Sequence, residues 1–142
     1  MRVMVIVKAN KDSEAGVLPD EKMLTAMGRY NEKLVNAGVM LAGEGLQARS
    51  KGARVKFSGG KTTVKDGPFT ESKELVAGFW IWQVKSIAEA VDWLKQAPFE
   101  NGEEVEIRRV FELDDFGEAF TGELREQEER MRAKSGMAAK KN

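Results

Sequence analysis

The chain has 142 residues, enough for one domain with one modest hydrophobic core. Its 23 lysines and arginines balance its 23 aspartates and glutamates, so it lacks the positive field of a protein that coats DNA, and nucleic acid is not an expected partner. It contains neither cysteine nor histidine, which excludes disulfides, thiolate nucleophiles, sulfur-ligated clusters and the usual ligands of zinc, copper and histidine-bound haem. Oxygen ligands for a hard cation and the single tyrosine, Tyr30, are what remain, and no cofactor or metal is expected.

The first apolar run, residues 3–8, carries one basic residue before it and is far too short to span a bilayer. With no small-residue cleavage site after it, it reads as a first strand and not as a signal peptide, and the expected address is cytoplasmic with no membrane partner. Pro19-Asp20-Glu21 then opens a helix, with proline in the first turn and acids against the positive end of the dipole, and Asn36-Ala37-Gly38 closes it. Met23, Met27, Tyr30 and Leu34 fall on one stripe of that helix. Residues 39–46 and 75–85 read as two further strands. Ser86-Ile87-Ala88-Glu89 is a capping box, and Ile87, Ala90, Val91 and Leu94 are the predicted buried face of a helix ended by Pro98. Residues 105–113 read as a last strand. The order β-α-β-β-α-β predicts an α+β fold of the split-βαβ, ferredoxin-like kind, with an insertion between its two middle strands.

The insertion, residues 47–65, reads as a β-hairpin turned at Ser58-Gly59-Gly60. Val55 and Phe57 alternate with Arg54 and Lys56, so one face is apolar and the other basic. From residue 45 to 65 there are six basic residues and no acid, although the whole chain is neutral. Such a face either is solvated and blocks sheet-to-sheet aggregation, or forms a platform for an anionic small molecule.

After Asp114 the character changes. Phe116, Phe120 and Leu124 can dock a short helix, but residues 126–134 are charged on almost every side and offer only Met131 as a second anchor. A marginal or partner-stabilised helix is expected, and then a disordered end over residues 135–142. The organisation predicted is a domain over residues 1–120 and a charged helix and tail over 121–142.

The strand at 75–85 bears on assembly. Phe79, Ile81 and Gln83 alternate with Trp80, Trp82 and Val84, so both of its faces are rich in large apolar groups. Two helices cover one face of a sheet. Each large apolar side chain left in water forgoes about 1.5–3 kcal/mol, and the second face predicts a homodimer packed sheet against sheet.

The candidate chemistry lies around Asp66-Gly67-Pro68-Phe69-Thr70-Glu71-Ser72-Lys73-Glu74. Asp66-Gly67-Pro68 is a turn in which the aspartate can bond downstream amides, and Phe69 is a plug for an apolar gap. The stretch also holds carboxylates just before a buried strand, where raised pKa values suit acid or base work, so Asp66 is one catalytic candidate. Glu44, between Gly43 and Gly45, is the other, placed where backbone can approach a ligand closely. Arg54 and Arg108 are candidate clamps for a substrate carboxylate, with Phe69 and Lys73 as further ligand-binding candidates.

Together with Gly43-Glu44-Gly45-Leu46 and Gly78-Phe79-Trp80-Ile81, that nine-residue run resembles the DGPF-type branch of the YCII-related proteins over roughly residues 1–113. The resemblance implies a dimeric α+β barrel made by two chains. Shorter relatives carry a histidine and aspartate pair proposed as catalytic, and no histidine exists here to take that part. Related barrels include isomerases, cofactor-free monooxygenases and haem enzymes, so the fold names no reaction. Genes for DGPF-type proteins often accompany those for extracytoplasmic-function sigma factors, which implies a regulatory context. Two readings follow: a homodimer that binds a small, anionic molecule, or a cofactor-free enzyme of isomerase or lyase type that moves protons with carboxylates.

Overall fold

The structure, a computed structural model, describes residues 1–66 and 75–137, with the backbone alone at Lys65 and Asp66. The elements in chain order are β1 (Arg2–Lys8), α1 (Lys11–Glu14), α2 (Glu21–Asn36), β2 (Met40–Gly45), a 3₁₀ turn (Arg49–Lys51), β3 (Ala53–Ser58), β4 (Lys61–Asp66), β5 (Val76–Gln83), α3 (Ile87–Leu94), β6 (Val105–Arg109), a 3₁₀ segment (Leu113–Ala119) and α4 (Gly122–Ser135). The main sheet has the order β2-β5-β1-β6, and each neighbouring pair is antiparallel. This is an α+β fold consistent with the ferredoxin-like arrangement, two interleaved βαβ units with α2 and α3 as their crossovers.

Local chemistry sets most element ends. Asp20 is the N-cap of α2, its carboxylate accepting from the Met23 N–H at 2.8 Å, so Pro19 stands just before the helix and not within its first turn. At the far end Gly38 takes a φ of 72°, and the Val39 N–H returns to the Leu34 carbonyl at 2.9 Å. Ser86 caps α3 by accepting from the Glu89 N–H at 3.1 Å, while the Glu89 carboxylate reaches past it to the Lys85 N–H.

One face of the sheet holds the core. Val3 and Val5 of β1, Trp80 and Trp82 of β5, Tyr30 and Leu34 of α2, Ala90 of α3, and Val39 and Val84 are buried together. The α3 face differs from the predicted one. Ala90 is buried and Trp93 and Leu94 pack on the core, whereas Ile87 and Val91 are exposed. The helix ends at Leu94, before Pro98, because Lys95 already makes the closing turn. β6 likewise stops at Arg109, four residues short of its predicted end, and the 3₁₀ segment starts at Leu113 after three residues in neither helix nor strand.

Among the described residues none on the second face of the sheet is fully buried. Register places Ala42, Ile81, Met4 and Arg108 in one row across it, and Glu44, Phe79, Ile6 and Glu106 in the next. Ile81, Met4, Phe79 and Ile6 in its centre are each only partly covered. An extra residue, Leu41, is accommodated where β2 shifts register against β5.

β3 and β4 form a sheet of their own, turned at Gly59 and Gly60 with φ of 58° and 75°, the left-handed pair that a two-residue hairpin turn demands. Beyond β6 the rings of Phe111, Phe116 and Phe120 stack at 4.9 and 5.5 Å. Arg125 ties α4 to this segment through Asp114 at 3.0 Å. α4 buries no residue, and Met131 lies exposed on it and does not anchor it. Ser135 is helical and Gly136 ends the helix with a φ of 71°; the rest of the expected tail, residues 138–142, lies outside the described residues.

Candidate functional site

A cleft of about 780 Å³ opens where β2 leaves the sheet. Six separated segments wall it: Val7 of β1, the stretch around the end of α1 (with Gly16, Val17 and Leu18), Met27 and Asn31 of α2, Gly43 to Ala48 with Ser50 and Lys51, Ala77 to Trp80 of β5, and Phe99. Its walls are dominated by apolar groups. Leu18 is 84% exposed there, an apolar side chain left at the rim.

Trp80 organises the inner wall. Its ring meets Tyr30 edge-on at 6.0 Å and Phe99 edge-on at 6.1 Å, arrangements favoured by the aromatic quadrupole. Its indole Nε1 donates to Asn31 Oδ1 at 2.9 Å. An indole N–H can only donate, so Asn31 must present oxygen to it and keeps its amide N–H groups for other acceptors. Gly43 makes room for the ring: a Cβ there would lie 2.7 Å from Trp80 Cδ1 and from Met40 Cε. Gly78 does the same for backbone, since a Cβ on it would stand 2.9 Å from the Glu44 carbonyl oxygen.

The polar groups in the lining are few. Glu44 and Lys51 contribute one charge of each sign, and Glu14 is held by Arg49 at 3.1 Å, a bond that closes the rim between α1 and the 3₁₀ turn. Tyr30 behind the wall donates to the Trp93 carbonyl at 2.7 Å, and burial pushes its phenol up to about 12. A second, more polar cleft of about 680 Å³ lies beside Lys8, Asn10, Asp12, Glu103 and Glu104. Among the described residues no cluster of three acidic side chains could hold a metal ion, and no helix is long and apolar enough to cross a membrane.

A family model for the YCII-related domain matches residues 1–114. The chain belongs to the YCII-related family. It is also similar to an uncharacterized protein of Rhizobium meliloti (strain 1021), 33% identical over 76 residues, which is 54% of this chain and 61% of that relative. The match therefore spans about three fifths of the relative's length.

In this YCII-related protein the residues singled out from sequence do not converge. Glu44 lines the apolar cleft. Arg54 stands exposed on β3 of the separate hairpin and does not line it. Arg108 is on β6, the opposite edge of the sheet from Glu44, three strand spacings or about 14 Å away. Asp66 ends β4, its backbone paired with Ala53. Its side chain, the turn after it, Phe69 and Lys73 lie outside the described residues. Sequence reasoning missed Asn31, Leu18 and Phe99, and it placed Lys51 only in the basic strip of residues 45–65, a candidate platform for a small anion. A signal existed for Asn31, a polar residue one turn after Met27 beside an otherwise apolar stripe. None existed for Leu18 and Phe99, which reach the cleft through loops.

Proposed function

We propose that this YCII-related protein is a homodimer that binds a small, largely apolar molecule with an anionic end in the cleft beside Trp80. The observation that carries this reading is the cleft itself: about 780 Å³ with aromatic and aliphatic walls and few polar groups, within the usual range for small-molecule sites. Lys51 is the cation among its described lining residues and supports the anionic end; Asn31 supplies donors for orientation, and Glu44 borders the cleft from the row of Phe79. The two half-covered rows that hold Met4 and Ile81, and Ile6 and Phe79, support a sheet-to-sheet dimer, and the absence of net charge argues against nucleic acid. The family resemblance supports a regulatory setting linked to an extracytoplasmic-function sigma factor.

A panel of aromatic carboxylates and their methyl esters, titrated while tryptophan emission is followed, tests the reading. The acids should bind and the esters bind several-fold more weakly, with Lys51→Ala removing the difference. A panel with no binder, or acids and esters bound alike, sinks it. A second reading, proton transfer by a carboxylate in a cofactor-free enzyme, draws on Glu44 being in the lining. It requires that a bound compound be converted and that Glu44→Gln stop conversion while leaving binding in place.

A further inference from the structure

The hairpin β3–β4 poses a problem that the described residues do not solve by themselves. It forms a two-stranded sheet separate from the main one, and every residue from 51 to 64 is exposed. Val55 pairs with Val64 across it, and Val55, Phe57 and Val64 share one face, with Phe57 79% and Val64 64% exposed. A lone two-stranded hairpin is marginal in water, and an uncovered apolar face makes it more so.

The charge pattern indicates what covers it. Residues 45–65 hold six bases and no acid, while residues 100–129 hold twelve acids and three bases. A neutral molecule divided into a +6 strip and a −9 region is complementary to a second copy of itself. Within the acidic region Phe116 is 45% exposed, stacked against Phe120 and next to Asp114, Asp115 and Glu118. The hairpin follows β2, and this aromatic segment follows β6, strands at opposite edges of the sheet and about 14 Å apart by strand spacing. The hairpin does not fold back onto it within one chain, as its exposure records.

We propose that the hairpin is an arm which each copy lays on the aromatic segment of a second copy, with Val55, Phe57 and Val64 against the partner's Phe116. Attraction between the basic strip and the acidic region steers the arm there. This contact is distinct from a dimer through the open sheet face and stands whether or not the cleft binds a ligand.

The chain has no cysteine, so engineered thiols report alone. Ser58→Cys at the hairpin tip and Glu118→Cys beside the stack remove no docking side chain. The two full-length variants, of different mass through a tag on one, are mixed and treated with a short bismaleimide. The expected product is the mixed covalent dimer, at several times the yield given by Ser58→Cys with Lys22→Cys on exposed α2, and reduced in 1 M salt. Equal yields in the two mixtures overturn the proposal. So does a double variant that cross-links within one chain, or a preparation that is dimeric by light scattering yet gives no mixed product; that last outcome leaves the sheet-face dimer standing.

Discussion

Trp80 Nε1 donates to Asn31 Oδ1 at 2.9 Å, so a single hydrogen bond joins the middle of β5 to α2 at the wall of the cleft. Asn31→Leu takes away the acceptor and strands a largely buried indole N–H, for a cost of about 1–3 kcal/mol. Denaturant melts should lose that much stability, and the tryptophan emission should shift. An unchanged midpoint and spectrum would show that the bond contributes nothing.

Gly43 faces the same ring. Gly43→Ala places a methyl 2.7 Å from Trp80 Cδ1, and Trp80 is packed by Tyr30, Trp82 and Phe99, which leave it little room to retreat. Overpacking of this kind costs about 1–3 kcal/mol. The variant should melt lower and bind cleft ligands more weakly; a wild-type melting curve would contradict the close approach.

The pH dependence has a definite sign. The Tyr30 phenol is pushed up to about 12 from its ordinary value of 10 by burial. Between those values the unfolded chain has lost the proton and the folded chain retains it. Its contribution is therefore fully present below pH 10 and is lost as pH rises through 12. Tyr30→Phe should flatten that alkaline loss, and tyrosinate absorbance should appear late, since Tyr30 is the only tyrosine. Titration near pH 10 would refute the burial argument.

The open sheet face is tested at its centre. Ile81→Lys puts a charge in the row with Met4 and Ala42, where a partner sheet would exclude water. Light scattering should report monomers with the circular dichroism of the parent. A variant that stays dimeric removes this face as the interface.

The two carboxylates singled out from sequence separate by their expected duties. On the sequence expectation that the Asp66 carboxylate bonds the amides of the following turn, Asp66→Asn should lower Tm, since charge-assisted bonds of that kind are worth roughly 1.5–3 kcal/mol each. Glu44→Gln should melt like the parent and bind ligand more weakly. If Asp66→Asn leaves Tm alone and abolishes binding while Glu44→Gln changes neither, the two duties are reversed.

What the sequence determined by itself is the set of features written in local chemistry. The Ser86 cap, a helix opening at Pro19-Asp20-Glu21, the turn at Gly59 and Gly60, the left-handed Gly38 and the β-α-β-β-α-β order each depend on a few neighbouring residues and are found in the fold, with the one change that Asp20 is the cap and Pro19 stands before the helix. The family could be read in the same way, from short runs of unusual residues. The tertiary structure decided which surfaces meet. Ile87 and Val91 have the spacing of a buried face, yet the sheet receives Ala90, Trp93 and Leu94, because the packing angle of α3 and not its periodicity selects the side turned inward. Arg54 and Arg108 are as suited to a carboxylate as any arginine. The sheet order and the detached hairpin nevertheless carry them away from Glu44, while six stretches that never adjoin in sequence close around Trp80. A cleft is a long-range object, and its lining is set by strand order, crossover packing and loop paths that only the folded chain defines.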